Sequence, residues 1–178
     1  MQTRDVLIEE NIQILRQGIE LLESLDDRTY PQVKHPFSEH GIGSHFRHCV
    51  DFYCSFLSGV GDGRIDYDSR KRDPRISRER RTAIESLEGI IKRLEEFSGI
   101  DNHTPLIVRL EDSGDEADPS SWSWSSVLRE LQSLVSHTVH HYALIGLIMQ
   151  LNGFKIKRDF GVAPSTLKEW RNKVTCAR

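Results

Sequence analysis

Three histidines lie within five residues of an otherwise apolar stretch, SHTVHHYALIG, residues 136–146. His137 and His141 are four residues apart, so on a helix their rings project from one face, one turn apart. Two imidazoles in that arrangement can share a metal ion, whose bonds to histidine nitrogen are about 2.0–2.1 Å long. A helical wheel puts both rings on the flank of the apolar stripe, with His141 nearer the core. The spacing therefore predicts His137 and His141 as metal ligands and His140 as a solvated ring that points away.

A second cluster, SHFRHCVD (residues 44–51), offers His45 and His48. Apolar periodicity mildly favours His45 as the inward ring and puts His48 on the flank. One of them, with the first pair, would complete a three-histidine site with an open position for water or substrate. The alternative is that each histidine only hydrogen bonds to a carbonyl or carboxylate, but two clusters on two helices favour a metal. The chain lacks His-Glu-x-x-His, which excludes a zincin-type site.

Apolar periodicity predicts four long helices that would carry these residues, near 3–25, 44–59, 77–98 and 125–151. RIDYD (64–68) and TPLIVRLED (104–112) predict two short strands, which we expect to pair. Four helices of similar length are typical of an all-α protein built as an antiparallel four-helix bundle. We expect a small β insertion between the second and third helices, and one domain over residues 1–178.

Composition excludes several classes of protein. A net charge of −3 gives no basic field that would recruit nucleic acid or an anionic membrane. The sequence has neither 18 consecutive uncharged apolar residues nor, at its start, the apolar core of a secretory signal. The three cysteines, Cys49, Cys54 and Cys176, are an odd number at spacings that argue against a disulfide framework. Composition thus favours a cytoplasmic protein.

Four segments together resemble one family. The chain contains GIGSHFRHCVDFY (41–53), RIDYDSRKRDPR (64–75) and, about ninety residues after the first, SHTVHHYALIG, followed by DFGVAPST (159–166). In order and spacing they resemble the DinB/YfiT-like superfamily of metal-dependent enzymes, and they look like one bacterial branch of it. Its members are four-helix bundles with a histidine triad. The resemblance covers nearly the whole chain. It implies that His48, His137 and His141 are the metal ligands, whereas apolar periodicity favours His45 over His48.

The resemblance also implies chemistry. It implies a divalent metal ion, zinc or nickel first and iron or manganese next, and a low-molecular-weight thiol as a further cofactor. The implied reaction on a small-molecule substrate is metal-assisted thiol transfer (as in a thiol S-transferase) or hydrolysis. The alternative is a non-catalytic stress-response or interaction bundle whose histidines are structural or bind metal without turnover. Because an amphipathic bundle of this size leaves an apolar flank, we also expect a homodimer.

Several residues are candidates to surround the triad. Asp51 is a candidate catalytic residue that would orient a histidine ring or lie in the pocket mouth, with a solvated carboxylate as an equal alternative. Tyr67 is a candidate proton donor and Asp68 a hydrogen-bond acceptor, although an ordinary place in a strand and turn is the simpler interpretation. His45 is a further candidate for the pocket.

The remaining candidates lie outside the histidine clusters. Trp124 and its neighbour Trp122 are candidates for the pocket rim, and core packing is the stronger expectation for Trp124. The run 70–72, which is Arg-Lys-Arg, is a basic patch that could bind an anionic substrate. Cys49 is expected to be a buried, inert thiol, because it faces away from its neighbour His48.

Overall fold

The computed structural model describes residues 4–35, 40–69, 71–97, 101–109 and 121–176, and it is mostly helical with one small sheet. The helices are α1 (Arg4–Glu23), α2 (Thr29–Gln32), α3 (Ile42–Gly59), α4 (Arg80–Glu95), α5 (Val127–Leu151) and α6 (Pro164–Cys176). A 3-10 turn, Val60–Asp62, follows α3. The four helices predicted from periodicity correspond to α1, α3, α4 and α5.

Local chemistry explains where these helices begin. α3 begins at Ile42, two residues before the predicted start, because the Ile42 side chain is fully buried and extended Gly41 precedes it. α4 begins three residues later than predicted, since the Ser77 hydroxyl donates to the Pro74 carbonyl oxygen at 2.8 Å and belongs to a turn. At α5 the Ser126 side chain caps the helix by accepting a hydrogen bond from the backbone of Arg129.

The long helices surround one apolar core. α1 packs against α4 and α5, and α3 packs against the same two helices. The largest fully buried side chains come from these helices and the segments that join them: Leu7, Ile14, Leu15, Leu22, Tyr30, Ile42, Phe46, Tyr53, Phe56, Ile65, Leu87 and Tyr142. At Gly18, α1 comes so close to α5 that an added Cβ would lie 2.0 Å from the Tyr142 hydroxyl oxygen.

A small polar network crosses the apolar core. The buried Asn11 amide donates to the carbonyl oxygens of Leu7, at 2.7 Å, and Leu131, at 3.1 Å. The Tyr53 hydroxyl donates to Asn11 Oδ1 at 2.6 Å, and the Thr138 hydroxyl lies 3.4 Å from that of Tyr53. Because buried polar groups need hydrogen-bond partners, this network ties α1, α3 and α5 together.

The sheet has the order β1 (Arg64–Asp66), β2 (Pro105–Arg109) and β3 (Ser123–Ser126). β1 and β2 are parallel, which confirms that the two predicted strands pair, and β2 and β3 are antiparallel. The predicted place of the insertion is partly wrong, because β2 and β3 follow α4. Parallel strands need a crossover, and α4 supplies it. β3 was not predicted, since Ser-Trp-Ser-Ser lacks the apolar alternation of a strand.

Within the part of the chain that the structure describes, no helix is both long enough and apolar enough to cross a membrane.

Candidate metal centre

The packing of α3 against α5 brings three imidazole rings together. Nε2 of His48 lies 3.1 Å from Nε2 of His137, and Nε2 of His141 lies 3.2 Å from the same atom. All three residues are half-buried, and their potential ligand atoms lie within 4.8 Å of one another. The structure thus gathers the three histidines that the resemblance names, and such a group could hold a metal ion.

The chemistry of this donor set fits a metal. Bonds of about 2.0–2.1 Å in a tetrahedral site hold the ligand nitrogens about 3.3 Å apart. The observed separations of 3.1 and 3.2 Å are close to that value. Hydrogen bonds alone would not satisfy both contacts, because a ring nitrogen offers either one N–H or one lone pair. Zinc, nickel and iron are among the divalent metals that accept imidazole ligands.

His45 contacts the triad from outside. Its Nδ1 lies 2.9 Å from Nδ1 of His141, while Nε2 of His141 faces His137. His141 therefore uses one ring nitrogen toward the triad and the other toward His45. Periodicity was right that His45 turns inward, but His45 stands beside the converging group and is not a member of it. His140 is exposed, as its position on the helix predicted.

Burial keeps the imidazoles of His141 and His45 neutral. Burial first, and then the neighbouring rings of His137, His45 and His140, lower the pKa of His141 to about 3. Burial also lowers the pKa of His45, with smaller contributions from His40, His140 and His35. A histidine must be deprotonated before it binds metal. At neutral pH both rings are therefore in the form that a metal site requires.

Phe52 supports the triad from one side. Its ring stacks on His137 with centroids 4.0 Å apart, and on Tyr67 with centroids 4.9 Å apart. It also lies 4.8 Å, centroid to centroid, from His48. Phe52 is only 7% exposed, so its ring excludes water from this side. The sequence did not indicate Phe52, because its contact with the triad depends on how α3 and α5 pack.

The Tyr67 side chain is buried beside the site and hydrogen bonds to Glu130. It is 3% exposed, and its hydroxyl donates to Oε2 of buried Glu130 at 2.8 Å. Ser125 Oγ donates to the other carboxylate oxygen of Glu130 at 2.5 Å. Burial, and then the Glu130 charge, raise the pKa of the Tyr67 hydroxyl. The Tyr67 phenol, a candidate proton donor for which a place in a strand and turn was the simpler interpretation, thus anchors the sheet to α5. Glu130 was not predicted, because its partners come from other elements.

An open cleft of about 450 Å³ lies beside His48 and His141. The other lining residues are three histidines, an arginine, a serine and three aliphatic residues: His35, His40, His45, Arg47, Ser44, Leu144, Leu147 and Ile148. His35 and His40 were not predicted, since they precede α3 in a segment without helical spacing. The density of histidine between residues 35 and 48 was the signal that could have indicated them.

The two acidic candidates, Asp51 and Asp68, are not members of the converging histidine group. Asp51 is 5% exposed, which excludes the solvated carboxylate, and it is not part of the converging histidine group. Its predicted role in orienting a histidine ring stays a prediction. Asp68 is half-buried and lies 3.8 Å from Arg109 in an ion pair, and Asp66 pairs with the same guanidinium at 2.9 Å. Cys49 is fully buried, which raises the pKa of its thiol and is typical of an inert cysteine.

The expectation for Trp124 is wrong. Its side chain is 81% exposed on β3 and lines neither the core nor the cleft. Neighbouring side chains of a strand point to opposite faces, and Ser125 faces Glu130, so Trp124 must face outward. Trp122 is half-buried beneath the Arg64 guanidinium, 3.7 Å from its ring centroid. In the predicted basic patch, residues 71 and 72 are exposed, and residue 70 lies outside the described residues.

Comparison with known proteins does not show the family. No family model matches the chain, and no solved structure matches it. FK506-binding protein 5 of Rhizopus delemar (strain RA 99-880) is 37% identical to it over 105 residues. The aligned stretch covers 58% of this chain and 27% of the length of that protein.

Proposed function

We propose that this protein binds a divalent metal ion through His48, His137 and His141, and that it is a DinB-like four-helix bundle. The observation that carries the proposal is the convergence of three Nε2 atoms, with separations of 3.1 and 3.2 Å to the central one. The mutual packing of α1, α3, α4 and α5 supports the bundle, because each of these helices contacts two of the others.

We further propose a metal-dependent enzyme of the thiol S-transferase or hydrolase type. A divalent cation held by three neutral histidines supplies Lewis acidity, which lowers the pKa of a water or thiol at its open position. The chain orients the ligands through α3 and α5, and Phe52 excludes water from one side. The cleft of about 450 Å³ has the size of a small-molecule site, for which volumes of about 300–1,000 Å³ are typical.

One observation favours the alternative, a bundle that binds metal without turnover. Among the described residues that line the cleft, none is a carboxylate or a tyrosine, so general acid–base chemistry there would depend on histidine. Assays of metal-loaded protein across a panel of thiols and electrophiles separate the two functions. Turnover that depends on metal supports the enzyme, and its absence across the panel supports the binding protein.

Metal content tests the site itself. Protein purified without an affinity tag should contain about one equivalent of metal by elemental analysis. His48→Ala, His137→Ala and His141→Ala should each remove it, since each deletes one ligand. His140→Ala is the matched control on α5, because its ring is exposed, and it should leave the metal in place. Retention of metal in His48→Ala, together with its loss in His45→Ala, would contradict the proposed ligand set.

A further inference from the structure

His141 is held through both of its ring nitrogens. Nε2 faces His137 at 3.2 Å, and Nδ1 lies 2.9 Å from Nδ1 of His45. The rings of His45 and His141 are tilted by 44° with centroids 5.2 Å apart, so the contact is made through these nitrogens and is not a face-to-face stack. A separation of 2.9 Å between two ring nitrogens is a hydrogen bond, and one hydrogen atom must lie between them.

The direction of this hydrogen bond decides whether His141 can bind metal. If His141 donates from Nδ1, its Nε2 carries a lone pair that points into the triad. If His45 donates instead, Nε2 of His141 carries the hydrogen and cannot be a ligand. We propose that His45 is a positioning residue, whose Nδ1 accepts the hydrogen bond from Nδ1 of His141 and so fixes the ligating tautomer. This inference rests on the proposed metal site.

The position of His45 suits that role. It precedes His48 by three residues on α3, so the helix that contributes one ligand also supplies the orienting partner for another. The outer partner of a metal-bound histidine is most often a carboxylate, a backbone carbonyl or a water molecule. A neutral imidazole in this place adds no negative charge. The bound cation would therefore keep more of its Lewis acidity than it would beside a carboxylate.

Two substitutions separate orientation from packing. His45→Asn places an amide oxygen near the position of Nδ1 and keeps an acceptor, whereas His45→Leu has a similar size without one. Loss of such a partner lowers metal affinity by about 10–100-fold. We expect that loss in His45→Leu and recovery of most of the affinity in His45→Asn, with one equivalent bound by each variant at saturation. His45→Ala replaces the leucine variant if that protein does not fold.

Competition between the apoprotein and a chromogenic chelator for Zn²⁺ measures the affinity. The visible absorption of bound Co²⁺ reports ligand geometry, which we expect to change in His45→Leu and to be restored in His45→Asn. His140→Ala, whose ring also lies 5.2 Å from that of His141, is the control and should match the wild type. Wild-type affinity in His45→Leu, or an equal loss in both variants, would overturn the inference. A wild-type protein that takes up no metal would refute the proposed metal site instead.

Discussion

The lowered pKa values of His141 and His45 give the metal-free protein a pH dependence. Burial holds the pKa of folded His141 at about 3, whereas an unfolded histidine titrates near 6.5. Between these two values the unfolded chain binds more protons than the folded one. The free energy of unfolding therefore rises with pH in this window. The stability is fully present above about pH 6.5 and is lost as the pH falls toward 3.

Denaturant unfolding of the metal-free protein at pH 7.5 and pH 5.0 measures this dependence. We expect the wild type to be less stable at the lower pH. His141→Gln should depend less steeply on pH, because the substituted side chain does not titrate. His140→Gln removes an exposed ring and should keep the slope of the wild type. Identical slopes for the wild type and His141→Gln would show that His141 is not the group responsible.

The sequence could predict a site residue when its position depends on one helix alone. It could not when the position depends on how two elements pack. His137 and His141 share one helix, so their spacing alone brought their rings together. The choice between His45 and His48 depends on the angle at which α3 meets α5, which periodicity does not contain. Both rings turn inward, one to the triad and one to His141, and only the family resemblance separated them. The prediction that Trp124 packs in the core was wrong for a related reason, since hydrophobicity does not indicate which face of a strand is covered.

At the scale of elements, the close approach of α1 and α5 at Gly18 predicts an unusual response to alanine. In an exposed helix, Gly→Ala stabilises by about 1 kcal/mol. At Gly18 the new Cβ would lie 2.0 Å from the hydroxyl oxygen of buried Tyr142 and 3.1 Å from the Phe46 ring. Overpacking of this kind destabilises by about 1–3 kcal/mol, which outweighs the gain. Gly18→Ala should therefore lower the stability.

Gly89 provides the matched control on α4. It is exposed, and an added Cβ would meet no atom within 4 Å. Gly89→Ala should raise the free energy of unfolding by up to about 1 kcal/mol. Urea denaturation of both variants, with the metal state held constant, gives the comparison. If both substitutions stabilise the protein, helices α1 and α5 are not as close at Gly18 as the structure places them.

The long helices could be predicted from the sequence, whereas strand β3 could not. The long helices depend on apolar periodicity within one segment, and their predicted ends were close to those observed. β3 is held by pairing with β2 and by the bond between Ser125 and Glu130, and neither interaction is visible in its own four residues. The parallel pairing of β1 with β2 arises because α4 lies between them in the chain.

For the whole molecule, metal binding should couple to stability. A ligand that binds only the folded state at 100 times its Kd adds about 2.7 kcal/mol to the free energy of unfolding. For a chain of this size each kcal/mol raises Tm by about 2–4 °C, so saturating Zn²⁺ should raise Tm by roughly 5–10 °C. Calorimetry with and without a chelator measures the shift. His48→Ala should show little of it, and an equal shift in that variant would mean that zinc binds elsewhere.

The polar network of the core has a consequence for the distant histidines. His137 and His141 are four residues apart, so if α5 slid along α3 by about 6 Å, one of them could take the place of the other. Apolar side chains alone discriminate weakly between two such alignments. The contact between the Thr138 and Tyr53 hydroxyls can form in one alignment only, because Leu134 or Tyr142 would take the place of Thr138 in the other. A threonine in the middle of α5 thereby selects which imidazole of the same helix stands opposite His48.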